Sequence, residues 1–184
     1  MSKVAELHKH DAPASLGIYI LTCSTSKFNQ LKTGQHPEDT SGDIIEKLSS
    51  TSGHRVEGRR LVSDSSPMIR RVVKKALSSK AVDILIITGG TGLSPRDVTV
   101  ESISGLVDKE VPGFGELFRN ISFNEIGSAA MLSRAFAGSA NGKIIFCLPG
   151  SPDGVQTAME RLILPEIGHM IRISREPKQP SSSR

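Results

Sequence analysis

The hydrophobic pattern of the chain is dominated by three short, largely apolar runs. They occupy residues 16–23, 83–88 and 143–148. Such a run is typical of a strand covered on both faces, as in a parallel sheet. Residues 54–63 are less apolar and predict a further strand, which ends at Asp64. The pattern therefore predicts four strands, three of them buried.

Apolar residues at helical spacing fill most of the sequence between these strands. The clearest helix starts at Ser66 and Pro67, an N-cap and first-turn pair, and places residues 69, 72, 73, 76 and 77 on one face. Residues 24–40, by contrast, form a polar connection longer than usual and predict a functional loop. Further helices are predicted over residues 43–53, 99–107, 112–119, 126–137 and 155–170.

Strands that alternate with helices indicate an α/β fold. The expected architecture is a three-layer sandwich around a doubly wound, mostly parallel sheet. Residues 16–171 are predicted to form its one domain. Residues 1–15 are polar and predict a flexible arm, and residues 172–184, with a Ser run and two Pro, predict a polar tail.

Composition narrows the classes of function. The 184 residues carry a net charge of +4, and only 4% are aromatic, with no Trp. No recognised nucleic-acid module occurs, so no nucleic-acid partner is expected. No apolar run approaches the ~20 residues of a membrane span, and no membrane contact is expected. Cys23 and Cys147 each end an apolar run and are expected to be buried thiols in a reducing compartment, which predicts a cytoplasmic protein.

Candidate chemistry follows the strands, because ligands in such sheets bind beyond the carboxyl ends. Residues 89–92 read Gly-Gly-Thr-Gly. Gly89, Gly90 and Gly92 permit positive φ and let backbone N–H groups converge on an anion. Thr91 and Ser94 add hydroxyl donors. The loop matches neither the P-loop nor GxGxxG, so it predicts a phosphate site outside both.

Two acids stand at neighbouring strand ends. Asp64 and Asp97 are both expected to face the ligand crevice, where paired carboxylates beside phosphates would hold Mg²⁺. Each has an alternative role. Asp64 precedes the helix that starts at Ser66 and could cap it, and Asp97 could cap the helix that starts near Thr99.

Four longer motifs carry a family resemblance. They are Thr-Gly-Gly-Thr-Gly-Leu-Ser-Pro-Arg-Asp-Val-Thr at 88–99, Glu-Val-Pro-Gly-Phe-Gly-Glu-Leu-Phe-Arg at 110–119, Ile-Gly-Ser-Ala-Ala-Met-Leu-Ser-Arg-Ala at 126–135 and Leu-Pro-Gly-Ser-Pro-Asp-Gly at 148–154. In this order they resemble the MoaB/MogA family of molybdenum cofactor biosynthesis proteins. The resemblance implies the molybdopterin-binding fold. It also implies a homo-oligomer, a trimer or a dimer of trimers, with other proteins of the pathway as candidate partners.

The resemblance further implies an activity, Mg²⁺-ATP-dependent adenylylation of the terminal phosphate of molybdopterin. The family's two functional acids map to Asp64 and Asp97, as catalytic and Mg²⁺-binding residues. Ser41 and Gly42 match a pocket element of the first loop. The far wall is expected at Pro149, Gly150, Ser151 and Pro152. A non-catalytic molybdopterin carrier is the alternative function. Small residues of 126–140 and exposed Phe114 and Phe118 are the expected interface.

Overall fold

A computed structural model of the chain describes residues 13–177, and the predictions for residues 1–12 and 178–184 lie outside this part. The strands are β1 (Gly17–Cys23), β2 (Arg55–Val62), β3 (Ile84–Thr88), β4 (Lys109–Glu110), β5 (Phe136–Ala140) and β6 (Lys143–Leu148). The α-helices are α1 (Thr25–Lys32), α2 (Thr40–Thr51), α3 (Ser66–Ser78), α4 (Thr99–Ser104), α5 (Pro112–Ile126), α6 (Pro152–Ala158) and α7 (Ile167–Ser174). A 3-10 turn, Gly127–Leu132, follows α5, and a π-helical turn, Met159–Ile163, follows α6.

The six strands form one sheet in the order β2-β1-β3-β6-β5-β4. β2, β1, β3 and β6 run parallel, whereas β5 and β4 add an antiparallel edge. The order reverses beside β1, where the chain crosses to the other side of the sheet. The predicted doubly wound, mostly parallel α/β fold is confirmed.

Alternate side chains of the central strands enter two separate cores. Ile20, Ile86 and Phe146 lie in the core on one face of the sheet. Leu21 and Ile87 lie in the core on the other. Helices cover both faces, which explains why these strands are apolar at nearly every position. The three-layer arrangement follows directly from the unbroken runs.

The predicted helix over residues 126–137 is wrong in its second half. After the 3-10 turn, residues 133–135 have no regular structure, and β5 begins at Phe136 and pairs with β6 across a two-residue hairpin. Asn141 and Gly142 form that hairpin with φ values of 52° and 70°. Asn-Gly is the pair that tolerates positive φ at both positions, so it was the available signal for the missed strand.

Four other segments differ from prediction. The expected loop over residues 24–40 contains α1, which has no buried residue and therefore no apolar periodicity. The helix predicted for 155–170 is interrupted before Pro165 by the π-helical turn, because proline cannot supply a backbone donor. The helix predicted for 99–107 ends at Ser104. α7 then runs to Ser174, three residues into the predicted tail.

The predicted interface phenylalanines are buried. Phe114 and Phe118 pack together and are 6% and 2% exposed. Exposed apolar side chains occur elsewhere on α5 and the 3-10 turn, at Phe123, Ile126 and Met131. Both cysteines are free and buried, as expected. Within residues 13–177, no helix has the length and apolar character needed to cross a membrane.

Candidate functional site

A cleft of about 520 Å³ opens at the carboxyl ends of β1, β3 and β6. These ends are adjacent because Thr22 pairs with Thr88, and Thr88 with Leu148, in the parallel register. The cleft therefore occupies the edge where ligands of doubly wound sheets bind. Its walls are formed by Thr22, Cys23, Ser24, Lys27, Asp39, Ser41, Asp64, Thr88, Gly89, Gly90, Thr91, Gly92, Asp97, Leu132, Ser133, Pro149 and Gly150.

The glycine loop after β3 needs two of its glycines for backbone reasons. Gly89 and Gly90 have φ values of 91° and 64°, in the region that favours glycine. A Cβ on Gly89 would stand 2.2 Å from the carbonyl oxygen of Cys23, and one on Gly90 would stand 2.5 Å from Thr99 Oγ1. The expected positive φ is wrong for Gly92, whose missing Cβ instead makes room for Asp97 Oδ2.

Buried threonines hold this loop in place. The Thr99 hydroxyl donates to Gly89 O at 2.8 Å, and the Thr99 N–H donates to Gly90 O at 2.9 Å. The Thr88 hydroxyl donates to Pro149 O at 2.8 Å and so joins the β3 loop to the β6 loop. Both threonines are fully buried. The loop is therefore fixed before any ligand arrives, which favours tight anion binding.

Asp64 lies on the cleft wall beside the start of α1. Its Oδ2 accepts from both the N–H and the hydroxyl of Thr25, each at 2.8 Å. Its Oδ1 faces Gly90, where an added Cβ would come within 2.9 Å. The residue that caps α3 is Ser65, without a side-chain bond. Asp64 therefore does not cap α3.

Asp97 lies on the same cleft at the far end of the glycine loop. Its Oδ2 accepts from the N–H of Ser94 at 3.0 Å, and its own N–H donates to Ser94 O at 2.8 Å. The N-cap of α4 is Val98, so Asp97 does not cap that helix either. Both alternatives raised by the sequence are thus unsupported, and both carboxylates line the cleft.

Asp64 and Asp97 supply two carboxylates for a cation such as Mg²⁺, but no complete set of protein ligands. In residues 13–177, no three or more His, Cys, Asp or Glu side chains form a group that could hold a metal ion. The hydrogen bonds to the carboxylates of Asp64 and Asp97 use Oδ2, which leaves Oδ1 of each for a ligand. Two carboxylates are nevertheless enough for Mg²⁺, because this ion usually completes its coordination with water molecules and substrate phosphates.

The other predicted residues divide between the cleft and its surroundings. Ser41 lines the cleft and donates to Gly150 O at 2.8 Å, which joins α2 to the β6 loop. Nine of the thirteen predicted residues line the cleft: Ser41, Asp64, Gly89, Gly90, Thr91, Gly92, Asp97, Pro149 and Gly150. Four are not among the cleft-lining residues: Gly42, Ser94, Ser151 and Pro152.

Two of these four have other surroundings. Gly42 packs against Asp39 and Arg59, where a Cβ would stand 2.3 Å from Asp39 Oδ2. Ser151 lines a separate cavity of about 290 Å³ beside α5. Their predicted contact with a ligand stays a prediction.

Sequence reasoning missed the polar cluster around Asp39. Asp39 caps α2, accepts from Gly42 N at 3.3 Å, and binds Thr22 Oγ1 at 2.7 Å and Arg59 at 2.8 Å. Burial raises the pKa of this carboxyl, but the hydrogen bonds from Arg59 and Thr22 outweigh it and hold the pKa below its ordinary value. Asp39 therefore remains ionised. An acid before Ser-Gly at a helix start was its available signal.

A second missed residue supports the glycine loop from outside. Arg134 donates through Nε to Thr91 O at 3.0 Å and forms a two-pronged ion pair with Glu101 at 2.5 and 3.0 Å. The hydrogen bond from Arg134 lowers the pKa of Glu101. Arg134 therefore links α4, the loop and the segment before β5. Its position within the 126–135 motif was the available signal.

Cys23 borders the cleft, but its thiol is not suited to nucleophilic attack. Burial is the main cause that raises its pKa to about 12; a hydrogen bond with Thr99 opposes the shift, and the nearby Asp64 charge adds a smaller increase. A thiol with such a pKa stays protonated near neutral pH, and the thiolate is the reactive form. The chemistry of the cleft therefore rests on its carboxylates, amides and hydroxyls.

Residues 19–169 match the sequence model of a family described as "Probable molybdopterin binding domain". The match runs from within β1 to the first residues of α7. The chain belongs to this family. The resemblance to MoaB/MogA proteins that the four motifs carry is confirmed.

Members of the molybdopterin-binding domain family match over nearly their full length. Molybdenum cofactor biosynthesis protein B of Bacillus cereus is 42% identical, over 89% of this chain and 93% of the relative. A Methanocaldococcus jannaschii protein named "Probable molybdopterin adenylyltransferase" is 38% identical, over 85% and 93%. The crystal structure of the tungsten cofactor synthesizing protein MoaB from Pyrococcus furiosus superposes with a TM-score of 0.80, at 35% identity over 90% and 100%.

Proposed function

We propose that this chain acts in molybdenum cofactor biosynthesis as a molybdopterin adenylyltransferase. Membership of the family and the name of the Methanocaldococcus jannaschii relative support this function. The observation that carries it is the cleft itself, in which the preformed glycine loop lies between Asp64 and Asp97. A phosphate cradle flanked by two carboxylates is suited to phosphoryl-type transfer, which needs positioning and charge neutralisation more than a protein nucleophile.

The reaction joins two phosphates. An oxygen of the terminal phosphate of molybdopterin attacks the α-phosphorus of ATP, and a new P–O bond forms. The bond from the α-phosphorus to the oxygen that bridges the α- and β-phosphates breaks, and pyrophosphate leaves with the electron pair. The products are adenylylated molybdopterin and pyrophosphate. No proton has to be removed from the attacking phosphate when it is already ionised.

Residues of the cleft divide this work between them. The backbone N–H groups of Gly89, Gly90 and Gly92 would donate to phosphate oxygens, with the Thr91 hydroxyl beside them. Ser41, Pro149 and Gly150 would bound the part of the cleft next to the glycine loop, where Gly150 packs beside Gly89. Contacts from Gly42, Ser94, Ser151 and Pro152 would require the ligand to extend beyond the cleft walls. Arg134 would keep the loop in position through Thr91 O.

Asp64 and Asp97 would hold Mg²⁺ through their Oδ1 atoms. Bound there, the ion supplies neutralisation of the phosphate charges that approach each other during transfer. The two carboxylates orient the ligands through fixed geometry, because Thr25 and Ser94 anchor their Oδ2 atoms. Each acid would thus use Oδ2 to hold its own position and Oδ1 to bind the ion.

The exposed apolar side chains of α5 and the 3-10 turn support self-association, as a trimer or a hexamer. The exposed members of this apolar surface are Leu117, Phe123, Ile126, Met131 and Leu132. Sedimentation velocity distinguishes the two assemblies.

Free buried cysteines suit a reducing compartment, and we expect the protein to act in the cytoplasm.

The test is incubation of the purified protein with molybdopterin, ATP and Mg²⁺, followed by quantification of adenylylated molybdopterin. Asp64→Ala and Asp97→Ala should each lower turnover by about 100-fold or more, because each removes charge stabilisation present only in the loaded site. Asp153→Ala is the matched control, since Asp153 is an exposed acid near the same sheet edge but outside the cleft. Its turnover should equal that of the wild type.

Two outcomes would contradict the proposal. Wild-type rates in both Asp64→Ala and Asp97→Ala would show that the carboxylates are not catalytic. Tight molybdopterin binding by the wild type without any adenylylated product would instead favour the non-catalytic carrier. Thermal unfolding of each variant establishes that a lost rate is not a lost fold.

A further inference from the structure

The charges on the cleft wall are unbalanced toward the acidic side. Three carboxylates, those of Asp39, Asp64 and Asp97, line the cleft. Lys27 is the one cationic side chain among the cleft-lining residues in the described part of the chain. A substrate that brings several phosphates adds further negative charge. Recognition of such a substrate therefore depends on every positive group at this edge.

Lys27 is placed on the wall by two local contacts. Ser24 caps α1 and accepts from the N–H of Lys27 at 3.5 Å, which fixes the first turn of the helix. Thr25, in the same turn, is bound to Asp64 through its N–H and its hydroxyl. The ammonium of Lys27 consequently lies on the wall shared by Asp64 and Asp39.

The contact between Lys27 and Asp39 is loose. Lys27 Nζ stands 3.8 Å from Asp39 Oδ1, beyond hydrogen-bond distance. Asp39 is already satisfied, because its oxygens accept from Thr22, Arg59 and Gly42. Arg59 already balances the charge of Asp39 at 2.8 Å. The charge and the hydrogen bonds of Asp39 are therefore satisfied without Lys27.

The ammonium of Lys27 keeps its donors for another group. Its side chain is 33% exposed, and no hydrogen bond from Nζ is found within residues 13–177. An ammonium carries three donors and no acceptor, and it binds phosphate as a point charge. Arg59, by comparison, uses both terminal nitrogens of its guanidinium in bonds to Asp39, Asp43 and Glu46.

From this geometry we infer that Lys27 is a substrate-binding residue that contacts a phosphate of ATP or of molybdopterin. The inference rests on the proposed function, because that function brings phosphates into the cleft. Lys27 would neutralise phosphate charge on the α1 side of the cleft. Asp39 would serve as a positioning residue that keeps the ammonium directed along the wall.

The test compares Lys27→Met with Lys27→Arg and with Lys32→Met. Lys32 lies on the same helix over the Phe28 ring and outside the cleft, which makes it the matched control. Calorimetric titration with Mg-ATP and, separately, with molybdopterin identifies which phosphate is bound. Lys27→Met should weaken binding of at least one of them by about tenfold or more, as expected for a lost charged hydrogen bond. Lys27→Arg should recover most of the lost affinity, and Lys32→Met should bind both ligands as the wild type does.

Salt adds a readout that a purely structural role would not change. Raised ionic strength should narrow the difference between the wild type and Lys27→Met, because the lost contact is electrostatic and partly exposed. Unchanged binding of both ligands by Lys27→Met would overturn the inference. Weakened binding that Lys27→Arg does not recover, together with a lower melting temperature, would overturn it too.

Failure of the proposed function gives a different result. A wild type that binds both ligands but forms no product contradicts the transfer reaction, while the binding comparison at Lys27 still decides this inference. A wild type that binds neither Mg-ATP nor molybdopterin overturns both.

Discussion

The two ends of the parallel sheet both carry charged and polar side chains, but they use them differently. At the amino end, Asp83 Oδ2 accepts from the N–H of Gly17 at 2.7 Å, and Oδ1 pairs with Arg175 at 2.5 Å. The ammonium of Lys143 donates to the carbonyls of Ser79 and Val82. These groups join strands, loops and α7 to each other. The amino end is closed by its own polar groups.

The carboxyl end is polar but incompletely paired. Asp64 and Asp97 each accept hydrogen bonds through one carboxylate oxygen only. Within residues 13–177, the ammonium of Lys27 donates no hydrogen bond. The glycine loop between them is fixed by Thr88 and Thr99. One carboxylate oxygen of each acid and the ammonium of Lys27 thus lie half-buried along a cleft, where a ligand can reach them. The difference between the ends identifies which one is built for binding.

The largest effect should come from Gly90→Ala at the carboxyl end. The new Cβ would stand 2.5 Å from Thr99 Oγ1 and 2.9 Å from Asp64 Oδ1, at a φ of 64° that alanine rarely adopts. Either the loop or Asp64 must move. A displacement of this size can cost about 100-fold in rate, and turnover of adenylylated molybdopterin should fall by that order.

Gly53→Ala separates backbone strain from damage to the site. Gly53 also has a positive φ, of 83°, but no atom lies within 4 Å of an added Cβ. This variant should lose stability of about 1 kcal/mol and keep its turnover per folded molecule. Equal rates in Gly90→Ala and the wild type would contradict the assignment of the loop.

At the amino end, Asp83→Ala should change stability and leave chemistry alone. Loss of the carboxylate leaves the N–H of Gly17 and the guanidinium of Arg175 without their partner, which should cost about 1–3 kcal/mol of unfolding free energy. Turnover per folded molecule should stay at the wild-type value. Urea unfolding and the adenylylation assay measure the two quantities separately.

Glu160→Ala is the stability control for Asp83→Ala. Glu160 is exposed and accepts from Gln156 one helical turn away, so its loss should cost no more than about 0.5 kcal/mol. A stable but inactive Asp83→Ala would mean that the amino end also takes part in function, and the contrast between the ends would fail.

The smallest effect concerns pH and His54, also at the amino end. Leu16 N–H donates to His54 Nδ1 at 3.3 Å, and burial lowers the pKa of His54 below its ordinary 6.5. The unfolded chain then binds a proton more readily than the folded one. Stability should be fully present above about pH 6.5 and decrease as the pH falls below it toward the lower folded pKa.

His54→Gln should remove this part of the pH dependence, measured as unfolding free energy at pH 7.5 and pH 5.5. His36→Gln is the control, because His36 is exposed and the variant should keep the wild-type difference. A pH difference that persists in His54→Gln would exclude His54 as its source.

Much of the fold could be predicted from hydrophobic patterns. The unbroken runs of β1, β3 and β6 specify buried parallel strands, and their order places the glycine loop at a ligand edge. α1 and β5 could not be found in this way. α1 buries nothing, and β5 consists mostly of small residues that fit a helix equally well. The Asn-Gly hairpin is the one local signal for β5, and its pairing with β6 fixes the strand conformation.

The site was predictable to the extent that its residues stand in motifs. Asp64, Asp97 and the glycine loop adjoin strand ends, so chain order alone brings them together. Lys27 and Asp39 lie in a segment predicted as a loop, and their place on the wall depends on the docking of α1 and α2. Arg59 reaches Asp39 from β2, a contact between residues 20 positions apart that no local pattern indicates.

The most direct test of the central claim is a crystal structure with molybdopterin, Mg²⁺ and an ATP analogue whose α,β-bridging oxygen is replaced by carbon. We predict phosphate oxygens within hydrogen-bond distance of the backbone N–H groups of Gly89, Gly90 and Gly92. We also predict one Mg²⁺ bound by both Asp64 and Asp97. Ligand density away from this cleft, or carboxylates that do not reach a shared ion, would contradict the central claim.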